Sequence, residues 1–120
     1  MKIIEHFVNG KQYSGSSKRT SPVFNPATGE ETAQVKLGSL EDLNQTVEKA
    51  QKAFYSWSNT PPLQRARVLF KYKELIEKNA DLLIKIIVSE HGKVYEDARG
   101  SLTRGLEVVE YACGIPQMLK

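Results

Sequence analysis

The feature that most constrains this sequence is a change in apolar periodicity at Gly38-Ser39. Before this point, apolar and polar residues alternate in short stretches that turn residues separate. After it, apolar residues recur at spacings of three and four as far as Cys113. Alternation places every second side chain on one face of a strand, whereas the wider spacing forms a stripe on a helix. We therefore expect an α/β chain, with short β-hairpins at about 4–37 followed by about four helices at about 40–113.

Two turn motifs organise the β region. Asn9-Gly10 is a two-residue hairpin signal, because both residues tolerate positive φ. The second turn spans 25–29, where a proline fixes φ and a glycine supplies a left-handed position. It is expected to join a short strand at 23–24 to an alternating strand at 33–37 with one buried face. The polar stretch 14–21 between the two motifs predicts an exposed loop.

Capping residues mark the ends of the expected helices. Ser39 and Asp42 form a capping-box pattern at the start of the first helix. Thr60-Pro61 is expected to begin the second helix as its N-cap and first residue. Asn79 is expected to cap the third helix, which His91-Gly92 ends. The apolar stripe of the first helix consists of Leu43, Val47, Ala50, Phe54 and Trp57.

The third and fourth helices carry the broadest apolar surfaces. The third is apolar on nearly every side over 82–88, which predicts a central and buried position. The fourth is expected at about 96–112, and Gly114 and Pro116 end it with no further element. Gly105 lies on its apolar stripe, which suggests the close approach of another backbone.

Cysteine content, charge and length exclude several classes of protein. One cysteine cannot form an intrachain disulfide or a zinc site built on several cysteines. The net charge is only +3, and the first residues lack the apolar segment of a signal peptide. No apolar run approaches the ~18 residues that a transmembrane helix needs. We expect one cytoplasmic domain of 120 residues without a membrane partner.

The residues that could carry chemistry do not form a complete catalytic set. Cys113 lies on the apolar stripe of the fourth helix, where a free cysteine is a small hydrophobe more often than a nucleophile. His6 and His91 have no cysteine or carboxylate at a metal-ligand spacing. No glycine-rich phosphate loop follows a strand. The sequence therefore predicts no catalytic, cofactor-binding or metal-binding residue.

Basic residues offer two candidate anion sites. A local basic run could bind phosphate or DNA, although a solvated helix face is the simpler interpretation. Arg104 lies off the main stripe, and its planar guanidinium could receive a carboxylate at two points. The pattern alone favours an exposed arginine weakly paired with Glu107, and Arg99 has less to recommend it. The basic run consists of Arg65, Arg67, Lys71 and Lys73.

Several segments resemble the opening of the aldehyde dehydrogenase superfamily. They are FVNGK (7–11), VFNPATGE (23–30), AFYSW (53–57), RARVLF (65–70) and EHGK (90–93). Two more resemble its CoA-acylating methylmalonate-semialdehyde dehydrogenase branch, namely DARG (97–100) and RGLEVVEYACGIP (104–116). The resemblance covers essentially the whole chain.

This resemblance implies an aldehyde-dehydrogenase-like α/β fold in which 1–120 is the N-terminal portion of an NAD-binding and substrate-tunnel domain. It implies NAD and CoA as cofactors of a homo-oligomeric full-length enzyme, with neither bound by this chain alone. The implied reaction converts methylmalonate semialdehyde, CoA and NAD to propionyl-CoA, with loss of bicarbonate, in valine and inositol catabolism. The family's nucleophilic cysteine, acid/base glutamate, oxyanion-binding asparagine and dinucleotide loop lie beyond Lys120.

One functional residue is carried over by the resemblance. In that branch the arginine of the Arg-Gly pair binds the carboxylate of the substrate, and Arg104 occupies its position. Arg104 therefore becomes the predicted substrate-binding residue, which reverses the interpretation from the pattern alone. Cys113 matches a helix position and not the motif of the nucleophile. The chain is expected to be inactive alone, with the remainder of the enzyme or other subunits as its partners.

Two other functions remain open at this point. A non-catalytic α/β binding module would work through a partner protein, which the exposed remainder of the third and fourth helices would contact. A small nucleic-acid binder rests only on a sequence pI of about 9.0. No nucleic acid is predicted as a partner.

Overall fold

A computed structural model describes residues 2–119 of the chain. The residues divide into two compact units, Met1–Ser58 and Asn59–Lys120. Short strands followed by four long helices confirm the predicted α/β order. The strands are β1 (Lys2–Ile4), β2 (His6–Val8), β3 (Lys11–Tyr13), β4 (Thr20–Phe24) and β5 (Glu31–Lys36). The helices are α1 (Leu40–Asn59), α2 (Pro62–Lys78), α3 (Ala80–His91), α4 (Tyr95–Cys113) and a short 3-10 helix (Ile115–Met118).

The first unit contains two small sheets. Strands β2 and β3 form the predicted antiparallel hairpin, with positive φ at Asn9 (54°) and Gly10 (78°). In the second sheet β5 lies between β1 and β4, parallel to β1 and antiparallel to β4. Because β4 is at an edge, the missing N–H of Pro22 is tolerated there. The parallel pairing of β1 with β5 was not part of the sequence prediction.

The hairpin between β4 and β5 closes through the predicted turn. The amide of Gly29 donates to the carbonyl of Asn25 at 2.8 Å, and the amide of Asn25 donates to the carbonyl of Glu30 at 2.8 Å. The predicted loop 14–21 is too long by two residues, since Thr20 and Ser21 pair with β5. Pairing with β5 keeps these polar residues in a strand that their composition does not predict.

The start of α1 confirms the capping-box prediction. The amide of Ser39 donates to Oδ2 of Asp42 at 2.8 Å, and the amide of Asp42 donates to Oγ of Ser39 at 3.1 Å. The apolar stripe of α1 is largely exposed, however, with 62% of Phe54 and 46% of Trp57 accessible. The helix forms where the spacing predicts it, and its stripe remains open to solvent.

The second unit is a packed group of helices. Helix α4 packs against both α2 and α3, and α2 also contacts α3. The buried core of this unit consists mainly of small side chains. Its buried residues are Ala66, Ile84, Ala98 and Cys113. The 3-10 helix packs on α2 and α4. The sequence predicts no element there, but Pro116 suits the first turn of such a helix.

Two helix boundaries differ from the prediction. Helix α2 begins one residue later than expected, with Pro61 as its N-cap and Pro62 as its first residue. Asn79 lies between α2 and α3, but its side chain donates to the carbonyl of Leu75 at 2.7 Å. The Asn79 side chain therefore satisfies a backbone carbonyl near the end of α2, and it forms no capping hydrogen bond with α3. Gly92 ends α3 as predicted, in the left-handed conformation with φ of 77°.

The predicted burial of α3 is wrong. Ile84 is buried, but 58% of Leu82 and 41% of Ile86 are accessible. The predicted close approach at Gly105 is also absent, because a Cβ built there has no other atom within 4 Å. An apolar pattern indicates that a helix face tends to be buried against another surface. It does not indicate that the burying surface belongs to residues 2–119.

Candidate functional site

The candidate site lies on the exposed side of α4, around Arg104. Its Nη2 donates a hydrogen bond to Oγ of Ser101, one turn earlier, at 3.4 Å. Its Nη1 lies close to Gly100, where a Cβ would come within 3.4 Å of it. The missing side chain at Gly100 thus gives the guanidinium room to lie along the helix. Among residues 2–119, Arg104 forms no ion pair, so the predicted pairing with Glu107 is not made.

A second cation reaches the same hydroxyl. Lys93 precedes α4, and its Nζ donates to Oγ of Ser101 at 2.8 Å. The Ser101 hydroxyl itself donates to the carbonyl of Asp97 at 3.2 Å. A hydroxyl has one proton and two lone pairs. Because the Ser101 proton points at the backbone carbonyl of Asp97, both lone pairs of Oγ can accept hydrogen bonds, one from Lys93 and one from Arg104.

Of these three residues, the sequence predicts a role for Arg104 and none for Lys93 or Ser101. Ser101 and Arg104 are three residues apart, and this spacing makes two side chains neighbours on a helix surface. The sequence pattern therefore indicates this contact once the helix is predicted. Lys93 lies outside α4 and eight residues before Ser101. Its approach depends on how the chain enters the helix, which no periodic pattern encodes.

Arg99 provides a contrast on the same helix. Its guanidinium pairs with the carboxylate of Glu96, three residues earlier. Both side chains are well exposed, and an exposed pair of this kind contributes little to stability. Arg99 is thus already paired with an acid of its own helix, whereas the Arg104 guanidinium donates a hydrogen bond to a neutral hydroxyl.

An apolar groove of about 310 Å³ begins beside Ser101. It lies within the second unit, where α4 passes α2 and α3. Gly105 contributes to its wall, and the open space there accounts for the failed prediction of close packing. The groove is lined by Tyr72, Ile76, Leu83, Ile87, Ser101, Leu102, Gly105, Leu106 and Val109. Apart from the hydroxyls of Ser101 and Tyr72, the lining side chains are apolar, which suits the apolar part of a small ligand.

The other candidate residues from the sequence are Cys113, His6 and His91. Cys113 is a free thiol, 7% accessible, in the core of the second unit, as expected of a small hydrophobe. His6 lies in β2, and His91 is the last residue of α3. Within residues 2–119, no group of three or more histidine, cysteine or acidic residues is arranged to hold a metal ion. No helix in the same part of the chain is long and apolar enough to span a bilayer.

The basic run on α2 is partly neutralised by acids. Lys71 pairs with Glu74 at 2.8 Å, and Lys73 pairs with Glu77 at 2.6 Å. Lys73 also reaches Glu110 on α4 at 3.3 Å. These acids raise the pKa of Lys73, chiefly through the hydrogen bond to Glu77. For Lys71 and Lys73 these pairs agree with a solvated helix face.

The first unit contains a buried carboxylate, that of Asp42. Asp42 is 4% accessible, and its oxygens accept hydrogen bonds from Ser39, Ser16 and Tyr13. The amides of Ser39 and Ser16 contribute most, and they hold the pKa of Asp42 well below its usual range. The bond to Asp42 raises the pKa of Tyr13. Because both oxygens already have donors, this carboxylate anchors the fold and is not free for a ligand.

Comparison with known proteins points to one family. Residues 13–120 match the sequence profile of the aldehyde dehydrogenase family. Malonate-semialdehyde dehydrogenase of Pseudomonas aeruginosa is 44% identical over 120 residues, which is all of this chain and 24% of that protein. Malonate-semialdehyde dehydrogenase 3 of Geobacillus kaustophilus is 42% identical over 118 residues, or 98% of this chain and 24% of that protein.

Solved structures give the same result. Methylmalonate-semialdehyde dehydrogenase from Oceanimonas doudoroffii is 50% identical with a TM-score of 0.95, over all of this chain and 24% of that one. A protein assigned the same activity, from Sinorhizobium meliloti 1021, was solved with NAD; it is 44% identical with a TM-score of 0.96, at the same coverage. The chain therefore spans about a quarter of the length of these relatives. The matches confirm the resemblance drawn from the sequence segments.

Proposed function

The chain belongs to the aldehyde dehydrogenase family, and from this premise we propose that it is the N-terminal part of an NAD-dependent, CoA-acylating methylmalonate-semialdehyde dehydrogenase. The observation that carries the proposal is the match over the whole chain to relatives of that name, at 50% identity and a TM-score of 0.95. The proposed overall conversion is methylmalonate semialdehyde, CoA, NAD and water to propionyl-CoA, bicarbonate, NADH and a proton. This reaction belongs to valine and inositol catabolism.

Arg104 is the residue of this chain to which we assign a role in the reaction. A guanidinium presents two parallel N–H donors that match a carboxylate. Its freedom from any acid within residues 2–119 supports this role, because a paired arginine would have to give up its partner first. Holding the carboxylate would orient the aldehyde at the other end of the substrate. Arg104 thus positions the substrate, and bond breaking belongs to the remainder of the enzyme.

We assign no NAD contact to this chain, and the start of α1 gives a physical reason. Helix α1 directly follows β5, which is the arrangement in which a helix N-terminus can receive a phosphate. Here the amide of Ser39 is already taken by Asp42, and Glu41 adds a second acid to the first turn. Two acids at this terminus would repel the pyrophosphate of a dinucleotide. The start of α1 is therefore not proposed as a dinucleotide site, and NAD and CoA are proposed for the full-length enzyme.

The exposed apolar stripe of α1 supports a proposal about partners. We place the remainder of the enzyme polypeptide, or other subunits of a homo-oligomer, on such surfaces, and expect these 120 residues alone to be inactive. The alternative is a non-catalytic α/β binding module whose partner is a separate protein. We also propose a cytoplasmic location, since a single cysteine that is free and buried needs no oxidising compartment.

A second substrate is favoured by the names of the curated relatives. Those reported above are malonate-semialdehyde dehydrogenases, whose substrate lacks the methyl group. The carboxylate that Arg104 would hold is the same in both aldehydes. The two substrates differ in their product, which is acetyl-CoA from malonate semialdehyde and propionyl-CoA from the methylated one.

The test is a product assay with the complete protein whose reading frame contains these residues. Incubation with NAD, CoA and each aldehyde in turn is expected to form NADH together with propionyl-CoA or acetyl-CoA, which mass spectrometry distinguishes. NADH formation without an acyl-CoA would remove CoA acylation from the proposal. Turnover by the 120-residue chain alone would contradict the proposed inactivity and support a different enzyme.

A further inference from the structure

We propose that Lys93 and Ser101 complete the carboxylate site of Arg104, with Lys93 as a second cationic ligand and Ser101 as the residue that positions both cations. This inference rests on the proposed function, because it takes the carboxylate end of a small aldehyde acid as the ligand. It adds two residues to which the resemblance assigns no role.

The first support is geometric. Oγ of Ser101 accepts from Nζ of Lys93 at 2.8 Å and from Nη2 of Arg104 at 3.4 Å. Two cationic groups from different parts of the chain therefore converge on one neutral oxygen. The Ser101 proton is committed to the carbonyl of Asp97 at 3.2 Å, which fixes the direction of its lone pairs.

The second support is charge. Within residues 2–119 neither Lys93 nor Arg104 forms an ion pair, whereas Arg99, Lys73 and Lys85 all do. Two like charges that share one hydroxyl repel each other, so a bound anion would relieve an unfavourable arrangement. What distinguishes Lys93 and Arg104 from other basic side chains is the hydroxyl that they share.

The third support is the number of hydrogen-bond donors left over. An ammonium has three donors and a guanidinium has five, and each uses one on Ser101. Enough donors remain for one carboxylate to contact both groups at once. Because Lys93 is half-buried and Arg104 lies along Gly100, both cations are partly preorganised before a ligand arrives.

The inference is tested by binding to the purified 120-residue chain. The probe is 2-methyl-3-hydroxypropanoate, the stable alcohol counterpart of the proposed aldehyde, and its uncharged methyl ester is the ligand control. NMR follows the Arg104 Nε–H and Lys93 Nζ signals during titration. Both signals are expected to shift saturably with the acid and not with the ester.

Variants separate the roles of the three residues. Lys93→Gln and Ser101→Ala are each expected to weaken binding about three- to five-fold, the range for one partly exposed charged contact. Ser101→Thr keeps the hydroxyl and is expected to restore binding. Lys85→Gln removes the same charge from a lysine already paired with Asp81, and it is expected to bind as the wild type does.

The outcomes distinguish this inference from the proposed function. Wild-type affinity in Lys93→Gln and Ser101→Ala, with binding lost in Arg104→Gln, would overturn the inference and leave the role of Arg104 intact. Wild-type affinity in Arg104→Gln would remove Arg104 itself from the proposed function. Equal shifts with acid and ester, or no shift with either, would overturn the three-residue site.

Discussion

Ser39 and Asp42 exchange hydrogen bonds across the first turn of α1, at 2.8 Å from the Ser39 amide and 3.1 Å from the Asp42 amide. The same carboxylate accepts from the amide of Ser16 at 2.7 Å and from the hydroxyl of Tyr13 at 2.8 Å. One buried charge thus joins the start of the helix to the segment that follows β3. This junction makes the first unit depend on the ionisation of Asp42.

Asp42→Asn is expected to lower stability at neutral pH and to flatten the loss of stability in acid. The folded chain holds the pKa of Asp42 below that of the unfolded chain, so ionised Asp42 stabilises the fold above about pH 3.9. That contribution is lost progressively as the pH falls below this value. Urea unfolding at pH 7 and pH 3 should show a wild-type advantage that shrinks at pH 3. Asp97→Asn, in the exposed first turn of α4, is the control.

Gly15→Ala is expected to destabilise the chain more than Gly10→Ala. Both glycines have positive φ, 72° and 78°, so each substitution carries a backbone cost of about 1–2 kcal/mol. A Cβ on Gly15 would also lie 3.0 Å from Oδ2 of Asp42, whereas a Cβ on Gly10 has nothing within 4 Å. Thermal unfolding followed by circular dichroism measures the difference. Equal losses in the two variants would show that Asp42 moves freely.

The local features of this fold were readable from the sequence because each needs only a few neighbouring residues. The Asn9-Gly10 turn and the capping box at Ser39 are of this kind. The pairing of β1 with β5 joins Lys2 to Ala33, and no short-range signal encodes a contact across that separation. The hydrogen bond from Tyr13 to Asp42 was missed for the same reason.

The candidate site shows the same division between local and distant information. Arg104 was identified through a resemblance of segments, and its bond to Ser101 follows helix spacing. Lys93 joins the site from outside the helix, so only the folded chain reveals it. The exposed face of α3 could not be anticipated either, because its apolar pattern is the same whether or not a covering surface is present.

Gly105→Ala is expected to stabilise the isolated chain by about 0.5–1 kcal/mol, the usual difference between alanine and glycine inside a helix. A Cβ at this position meets no other atom within 4 Å. The urea midpoint of the 120-residue chain measures the change. Gly100→Ala on the same helix is the comparison, because its Cβ would contact Nη1 of Arg104 at 3.4 Å, whereas a Cβ at Gly105 lies in open space. A loss of stability in Gly105→Ala would restore the idea of a close backbone at this position.

Phe54→Ser is expected to reduce self-association while changing the unfolding temperature little. The ring is 62% accessible, so its removal leaves no buried cavity. It is also part of the apolar stripe of α1, whose exposure favours contact between copies. Light scattering at increasing concentration, together with thermal unfolding, tests both parts. Ile84→Ala is the contrasting variant, because Ile84 is 3% accessible and its loss should cost about 2–5 kcal/mol.

Arg104→Lys, made in the complete protein, is expected to lower kcat/KM for methylmalonate semialdehyde about ten-fold and to leave propanal oxidation unchanged. Lysine keeps the positive charge but presents one point of contact where the guanidinium presents two, and only the carboxylated aldehyde uses that contact. The loss should therefore lie mainly in KM, because the chemistry at the aldehyde carbon involves other residues. Arg99→Lys is the matched control, since Arg99 lies on the same helix but is paired with Glu96. An equal fall for both aldehydes would indicate a structural role for Arg104, whereas an unchanged KM for the carboxylated aldehyde would remove it from substrate binding.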